Sequence, residues 1–348
     1  MLFRSTLLPA GFYFFTTHQH AGAVVGWKSP WCILVIAAAL TFQMDPVFAF
    51  VEGCGFVSQI ARMRLVQAFL GSIFAWTALV THHGLYSPAM LILGNAAAQI
   101  IFLSRPKLRR LLLSLLRHEV AHNSVGWRTE IWPFQWRIAL TWLSSYFIVQ
   151  FMNPVLFAYR GSVAAGRMGM SLSIASSIGS VGLAWMGTKA SPFGAMIARR
   201  ETLALDKLFF RTLWQSTGFV ATAAVGFFLF LVLGAHRFLG LTSRFLPPWV
   251  FVLLLLTTIM NHIVQSEALY MRAHKREPLL VQGIVVAIVI STSTLVLARI
   301  GGANAMTVGY FLFGGVLSLA WATYIFASKR REWYGAATMF IKTERGVD

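Results

Sequence analysis

Two arginines lie inside long uncharged stretches of the sequence. Arg137 occurs in IWPFQWRIALTWL and Arg167 in VAAGRMGMSLSIA. A charged side chain within a membrane span costs at least about 2.5–3.5 kcal/mol on insertion scales, so it usually faces a partner or a wet cavity. A guanidinium binds phosphate through two parallel hydrogen bonds. These positions therefore suit the binding of an anionic pyrophosphate, and the alternative is that both side chains snorkel to the nearest interface.

Three acidic residues also fall in or beside apolar stretches. Asp45, within FQMDPVFAF, is followed by Pro46, which opens the helix backbone. Its carboxylate could carry a coupling proton or cation, or pair with an arginine. Glu52 and Glu267 lie at predicted cytoplasmic helix ends, where an interfacial ion pair or gate contact is expected. The basic residues near enough in sequence to pair with them are Arg62, Arg64 and Arg272.

Neutral polar residues form a stripe in a later apolar stretch. Asn261 and Gln265 are i, i+4 neighbours, which share one face of a helix. Such residues commonly hydrogen-bond a neighbouring helix, and the alternative is that they line a cavity for sugar hydroxyls. Gln150 adds a polar group to another apolar stretch, whereas His262 alone is typical of a satisfied interior histidine.

The composition predicts the elements that carry these residues. Of the 348 residues, 57% are hydrophobic and 11% are charged, whereas an ordinary soluble domain has about 25% charged residues. Runs of about 20 apolar residues indicate membrane-spanning helices, and the fold class is therefore an all-α, polytopic transmembrane bundle. Nine spans are predicted, at about 31–51, 65–83, 87–104, 131–157, 162–187, 212–234, 248–269, 278–299 and 305–327.

The basic residues predict the orientation. The chain has 29 Lys and Arg against 11 Asp and Glu, a net charge of +18. Alternate loops and the C-terminal tail hold 21 of the 29 basic residues, which places them in the cytoplasm by the positive-inside rule. Because the charges are dispersed at helix ends, they favour anionic phospholipids as partners over nucleic acid. We expect a multi-pass protein of the cell inner membrane with a cytoplasmic C-terminus.

The spans divide unequally about a charged interval. Residues 1–29 form an N-terminal segment, 30–104 a partial first lobe of three spans, and 131–328 a second lobe of six, followed by the tail 329–348. Residues 105–130 are predicted to be a cytoplasmic amphipathic linker. Residues 2–26 could form a tenth span, or the chain could be the C-terminal portion of a longer protein; the second is favoured.

Several segments are similar to one family. The stretch at 130–175, EIWPFQWRIALTWLSSYFIVQFMNPVLFAYRGSVAAGRMGMSLSIA, resembles the first hairpin of the second lobe in bacterial oligosaccharide and O-antigen flippases. These belong to the multidrug/oligosaccharidyl-lipid/polysaccharide exporter superfamily. Further similar segments are 52–55, 61–65, 198–206 and 267–278.

The resemblance covers about residues 40–330, and family members typically have twelve or more spans. It therefore implies that about three spans are absent from the first lobe. It also implies that a polyprenyl-pyrophosphate-linked oligosaccharide is moved between leaflets by alternating access, beside other polysaccharide-assembly proteins.

Other classes of protein fit the sequence less well. There is no P-loop for ATP, no HExxH or paired-cysteine metal site and no Gly-x-Ser-x-Gly elbow. We therefore expect a non-enzymatic protein without a cofactor. The alternatives left open are a cation-coupled multidrug exporter of the same superfamily, a membrane glycosyltransferase or ligase acting on polyprenyl-linked sugar, and an inactive truncated remnant.

Overall fold

The computed structural model describes residues 2–17, 26–53, 56–106, 128, 132–234, 243–274 and 276–345. Within these ranges the chain is helical and contains no β-strand. The helices are α1 (Leu2–Thr17), α2 (Lys28–Gly53), α3 (Val57–Val80), α4 (Ser87–Leu103), α5 (Trp132–Ser145), α6 (Met152–Gly187), α7 (Ala190–Ala198), α8 (Thr202–Gly234), α9 (Pro248–Ala273), α10 (Leu280–Gly309) and α11 (Ser318–Arg345).

Seven helical stretches are long and apolar enough to cross a membrane. Two of them, Leu143–Ala198 and Leu280–Trp333, contain 56 and 54 residues, whereas one crossing needs about 20. The first departs from helical geometry at Gly161 and the second at Gly302. Both are therefore long enough to cross twice, with the glycine as the point of reversal.

Contacts across each glycine show that the two arms run side by side. In the first stretch, a Cβ on Gly169 would lie 3.2 Å from the Nδ2 atom of Asn153. In the second, the Nε2 atom of Gln282 donates a hydrogen bond to Ser318 Oγ over 3.0 Å. Both stretches are helical hairpins, so the described residues contain nine spanning arms. The predicted transmembrane bundle of about nine spans is confirmed.

Only glycine suits the backbone at the two reversals. Gly161 has φ 82° and ψ 179°, and Gly302 has φ 60° and ψ −145°; these conformations lie in or next to a region that residues with a Cβ avoid. The tips also contact one another. Arg160 donates from Nε to the Ala298 carbonyl over 3.1 Å and from Nη2 to the Arg299 carbonyl over 2.8 Å. Arg160 thus satisfies carbonyl groups where the first arm of α10 ends.

Two segments have the wider π-helical hydrogen-bonding pattern. They are Tyr146–Gln150, between α5 and α6, and Tyr310–Leu317, between α10 and α11. A π turn accommodates one more residue than an α turn and is often found beside a functional site.

The chain forms two compact units, Met1–Ser124 and Val125–Asp348, and the division falls within the predicted linker 105–130. That linker lies almost entirely outside the described residues. In the first unit, α3 and α4 pack very closely: a Cβ on Gly94 would lie 2.7 Å from the Leu70 carbonyl oxygen and 2.8 Å from Gly71 Cα. Small residues permit this approach of two backbones.

The second unit has two apolar cores. The larger is built from α6, α8, α9 and α10 around buried residues such as Met152, Leu156 and Phe251. The smaller joins α7, α8, α9 and α11 through Phe193, Phe209 and their neighbours. Together these cores hold the arms whose facing sides line the cavity described below.

Helix boundaries differ from the predicted spans and loops in two places. The predicted loop 52–64 is helical from Val57, so Arg62 and Arg64 lie in an early turn of α3. The interval 188–211 between two predicted spans contains α7 and the start of α8, which are separated where Arg200 has φ 58°. At the N-terminus, α1 is helical through Pro9, and the possible tenth span 2–26 extends beyond it into residues that lie outside the described part of the structure.

Candidate functional site

A cavity of about 380 Å³ lies within the second unit. We call it the α9 cavity, because its lining follows α9 from Leu254 to Arg272, about 27 Å at the rise of an α-helix. The opposite walls come from the end of α5, the second arm of α6, the start of α10 and both π segments. Its polar lining residues are Ser144, Ser145, Ser176, Ser180, Thr258, Asn261, His262, Gln265, Arg272, Arg276, Glu277, Gln282, Tyr310 and Ser318.

The middle of the cavity is polar but uncharged. Asn261 donates from Nδ2 to the hydroxyl of Tyr310 over 3.1 Å, which joins α9 to the second π segment. Gln265 lies one turn further along α9 and has an exposed side chain. Of the predicted stripe, Asn261 bonds a neighbouring segment, and Asn261 and Gln265 both line the cavity.

One end of the cavity carries charge. Arg272, Arg276 and Glu277 line it where α9 ends and α10 begins, and all three are exposed. The Nε atom of Arg272 lies 3.6 Å from Oε1 of Glu277. We call this end the cavity mouth. Among the described lining residues, Glu277 is the one carboxylate.

Glu267 is placed differently from the expected interfacial pair. Its side chain is 3% exposed, Oε1 accepts a hydrogen bond from Thr323 over 2.9 Å, and Oε2 has no bonded partner among the described residues. The ion pair of Arg272 is with Glu277 instead. Five residues along a helix correspond to a rotation of about 140° from the starting direction, so Glu267 and Arg272 leave α9 on different sides.

Asp45 in the first unit bonds a neutral residue. Its Oδ1 accepts a hydrogen bond from Gln99 Nε2 over 3.2 Å. Asp45 is exposed on α2, whereas Gln99 on α4 is 2% exposed. Arg62 and Arg64 are also exposed, on α3.

Two of the remaining predicted residues are described and lie outside the cavity lining. Arg167 and Gln150 are exposed, and neither lines the α9 cavity. The backbones of Arg137 and Glu52 lie in α5 and α2, but their side chains lie outside the described part of the structure. Within the described residues, no group of three or more His, Cys, Asp or Glu side chains could hold a metal ion.

The sequence did not point to a hydrogen-bonded ion pair between α8 and α11 that also involves Tyr270, near the end of α9. Asp206, on α8, is 7% exposed. Its Oδ2 accepts two hydrogen bonds from the guanidinium of Arg330 on α11, that from Nε measuring 2.7 Å. Its Oδ1 accepts one from the Tyr270 hydroxyl over 2.9 Å. Asp206 and Arg330 are 124 positions apart, and no local pattern identifies a partner at that distance.

His274 extends this network. Its ring stacks on Trp333 with centroids 4.1 Å apart, and its Nδ1 lies 3.1 Å from the Tyr270 carbonyl oxygen. Burial lowers the pKa of His274, while the Tyr270 carbonyl and the charge of Asp206 act in the opposite direction. The neutral imidazole is thus the form that the folded protein favours.

Comparison with known proteins gives a likeness of fold. No family model matches the sequence, and no curated protein matches it either. The structure is similar to that of a multidrug resistance MATE family transporter of the MOP superfamily, solved in an inward-facing conformation, with a TM-score of 0.57 and 15% sequence identity. The match covers 96% of this chain and 78% of the transporter chain.

Proposed function

We propose that this multi-pass membrane protein translocates polyprenyl-pyrophosphate-linked oligosaccharide across the cell inner membrane. The observation that carries the proposal is the order of groups along the α9 cavity. Neutral hydrogen-bonding residues such as Asn261 and Gln265 occupy its middle, and Arg272 and Arg276 lie at its mouth. A lipid-linked saccharide has hydroxyl groups next to a pyrophosphate, so its polar part matches this order.

Each part of the cavity has a role in the proposal. Amide and hydroxyl side chains donate to and accept from sugar hydroxyls without requiring a fixed charge. Guanidinium groups bind phosphate oxygens in a bidentate manner. Arg137 and Arg167 remain candidates for further contacts with the pyrophosphate, as the sequence predicts, and the similar fold of a transporter favours movement of the substrate without chemistry.

The proposal is tested with protein reconstituted in liposomes that contain a fluorescent, short-chain polyprenyl-pyrophosphate-linked sugar. We expect the protein to accelerate exchange of the probe between leaflets, measured as loss of protection from an impermeant quencher. Losing one hydrogen bond of about 0.5–1.5 kcal/mol predicts that Gln265→Ala slows exchange by about twofold to tenfold.

Gln215→Ala is the matched control. Gln215 is also exposed on a spanning helix of the second unit, but it does not line the cavity, so exchange should stay at the wild-type rate. Exchange no faster than in protein-free liposomes would contradict the proposed function. Equal rates for the two glutamine variants would remove the α9 cavity from the mechanism.

A cation-coupled multidrug exporter is the second candidate, and Glu267 is the observation that favours it. A carboxylate that is 3% exposed and has an oxygen without a partner is a candidate for binding a proton or another cation, since burial disfavours the isolated anion. Efflux of a lipophilic cationic dye by reconstituted protein, lost in Glu267→Gln, would support this candidate. Sugar-lipid exchange without dye efflux would exclude it.

A further inference from the structure

The cavity mouth contains an anion of its own. Glu277 lies on the connection between α9 and α10, immediately before Pro278, and its Oε1 is 3.6 Å from Arg272 Nε. This distance is longer than a good hydrogen bond, so the contact is an ion pair without a fixed hydrogen-bonding geometry. The Arg272 and Glu277 side chains are 48% and 42% exposed, so both are open to solvent and to a ligand.

Such a pair is easily displaced. The attraction in an exposed ion pair favours the paired over the separated side chains by a factor of about five at most. It is this weak because solvent screens the charges and two long side chains must be held in place. A phosphate group offers several oxygens and can engage the planar fork of an arginine with two parallel hydrogen bonds. It is therefore a stronger partner for Arg272 than Glu277 is at this distance.

We propose that Glu277 is the resting occupant of an anion site formed by Arg272 and Arg276, and that a phosphate-bearing headgroup binds there by displacing it. The inference rests on the proposed function. It adds that Glu277, a side chain of the same protein, competes with the phosphate group of the substrate for the arginines. Because the carboxylate is tethered five residues from Arg272, its effective concentration at the guanidinium is high. One of the two positive charges of the empty site is thus kept paired until a phosphate group arrives.

Displacement also changes the connection between two lining helices. While the pair is formed, Glu277 ties the residues before α10 to the end of α9. When a phosphate group takes Arg272, the carboxylate is released and repelled by the new negative charge. Binding of the headgroup is thereby linked to freedom of the α9–α10 connection, which also contributes Pro278 and Leu279 to the cavity wall.

The test measures binding of inorganic pyrophosphate to the full chain in detergent. Wild-type protein should bind it, and Glu277→Gln should bind up to about fivefold more tightly, since the competing pair is lost. In an Arg272→Gln background the same substitution should tighten binding less, because the carboxylate has lost the arginine with which it pairs and only Arg276 remains in the site. Glu201→Gln, an exposed carboxylate outside the cavity lining, is the control for net charge.

The outcomes separate this inference from the proposed function. Unchanged binding by Glu277→Gln, or equal tightening with and without Arg272, would overturn the inference and leave the anion site in place. Absence of binding to wild type, both of inorganic pyrophosphate and of polyprenyl pyrophosphate in nanodiscs, would overturn the proposed function as well. Nanodiscs that contain phosphatidylglycerol and no polyprenyl pyrophosphate identify the source of the phosphate group. If phosphatidylglycerol binds as tightly as polyprenyl pyrophosphate, the site belongs to bulk anionic lipid, and its link to the lipid-linked sugar is overturned.

Discussion

Replacing Asp206 by Asn should destabilise the second unit measurably. Asp206 is 7% exposed and accepts three hydrogen bonds, two from Arg330 and one from Tyr270. Removing one partner from a buried ion pair costs about 3–5 kcal/mol. The Arg330 side chain is 38% exposed, so water compensates part of the loss, and Asn keeps a neutral acceptor for Tyr270. We therefore expect a loss of about 2 kcal/mol.

Thermal unfolding of the purified protein in detergent measures this loss. A change of 1 kcal/mol shifts the midpoint by about 2–4 °C in a unit of this size, so Asp206→Asn should lower it by about 4–8 °C. The matched control is Glu332→Gln, which removes the carboxylate from an ion pair with Lys329 whose side chains are 35% and 53% exposed. That midpoint should change by less than about 2 °C.

Two results would refute the reasoning. One is an equal shift for Asp206→Asn and Glu332→Gln, which would mean that burial of the first pair has no energetic consequence. The other comes from combining Asp206→Asn with Arg330→Gln. If the effects of the two substitutions simply add, the two side chains do not stabilise each other.

Three further predictions concern the helix reversals and the histidine. Gly302→Ala should lower the free energy of unfolding by about 1–3 kcal/mol because of its positive φ, whereas Gly166→Ala, which meets no atom within 4 Å, should be neutral or stabilising in the same melts. Arg160→Met should cost about 2 kcal/mol by leaving the carbonyls of 298–300 without their charged donor; an unchanged midpoint would contradict this capping role. The pKa of His274 is lower in the folded state than its ordinary value of 6.5. At a pH between the folded and the unfolded pKa, the unfolded chain therefore binds more protons than the folded chain does. The free energy of unfolding should fall as the pH drops through about 6.5. Titration of the unfolding midpoint should show a weaker acid dependence in His274→Gln than in wild type; identical curves would refute it.

The spans were predictable because their signal is local. A run of about 20 apolar residues satisfies its own backbone hydrogen bonds wherever it packs, so no distant partner is needed to recognise it. The breaks were predictable for the same reason. Predicted spans end at 157 and 299 and resume at 162 and 305, and the structure reverses at Gly161 and Gly302 between them.

The candidate site was predictable only where its residues share one helix. Asn261 and Gln265 reach the same cavity because i, i+4 residues lie on one face. The arrangement at the mouth was not predictable: Arg272 pairs with Glu277 and not with Glu267, which depends on where α9 ends. Asp206 and Arg330 meet over 124 residues, a contact set by the packing of α8 against other helices and invisible to local patterns.

The π segment Tyr310–Leu317 has a consequence for how this protein could evolve. Since a π turn holds one residue more than an α turn, each later residue takes the place that its predecessor would have in an uninterrupted α-helix, about 100° and 1.5 Å back. Ser318 and Thr323 reach Gln282 and Glu267 in that rotated frame. Loss of a single codon here would convert the wide turn into an α turn and leave these contacts in place, whereas the same loss in an α-helical turn of this arm would rotate every later side chain by about 100°.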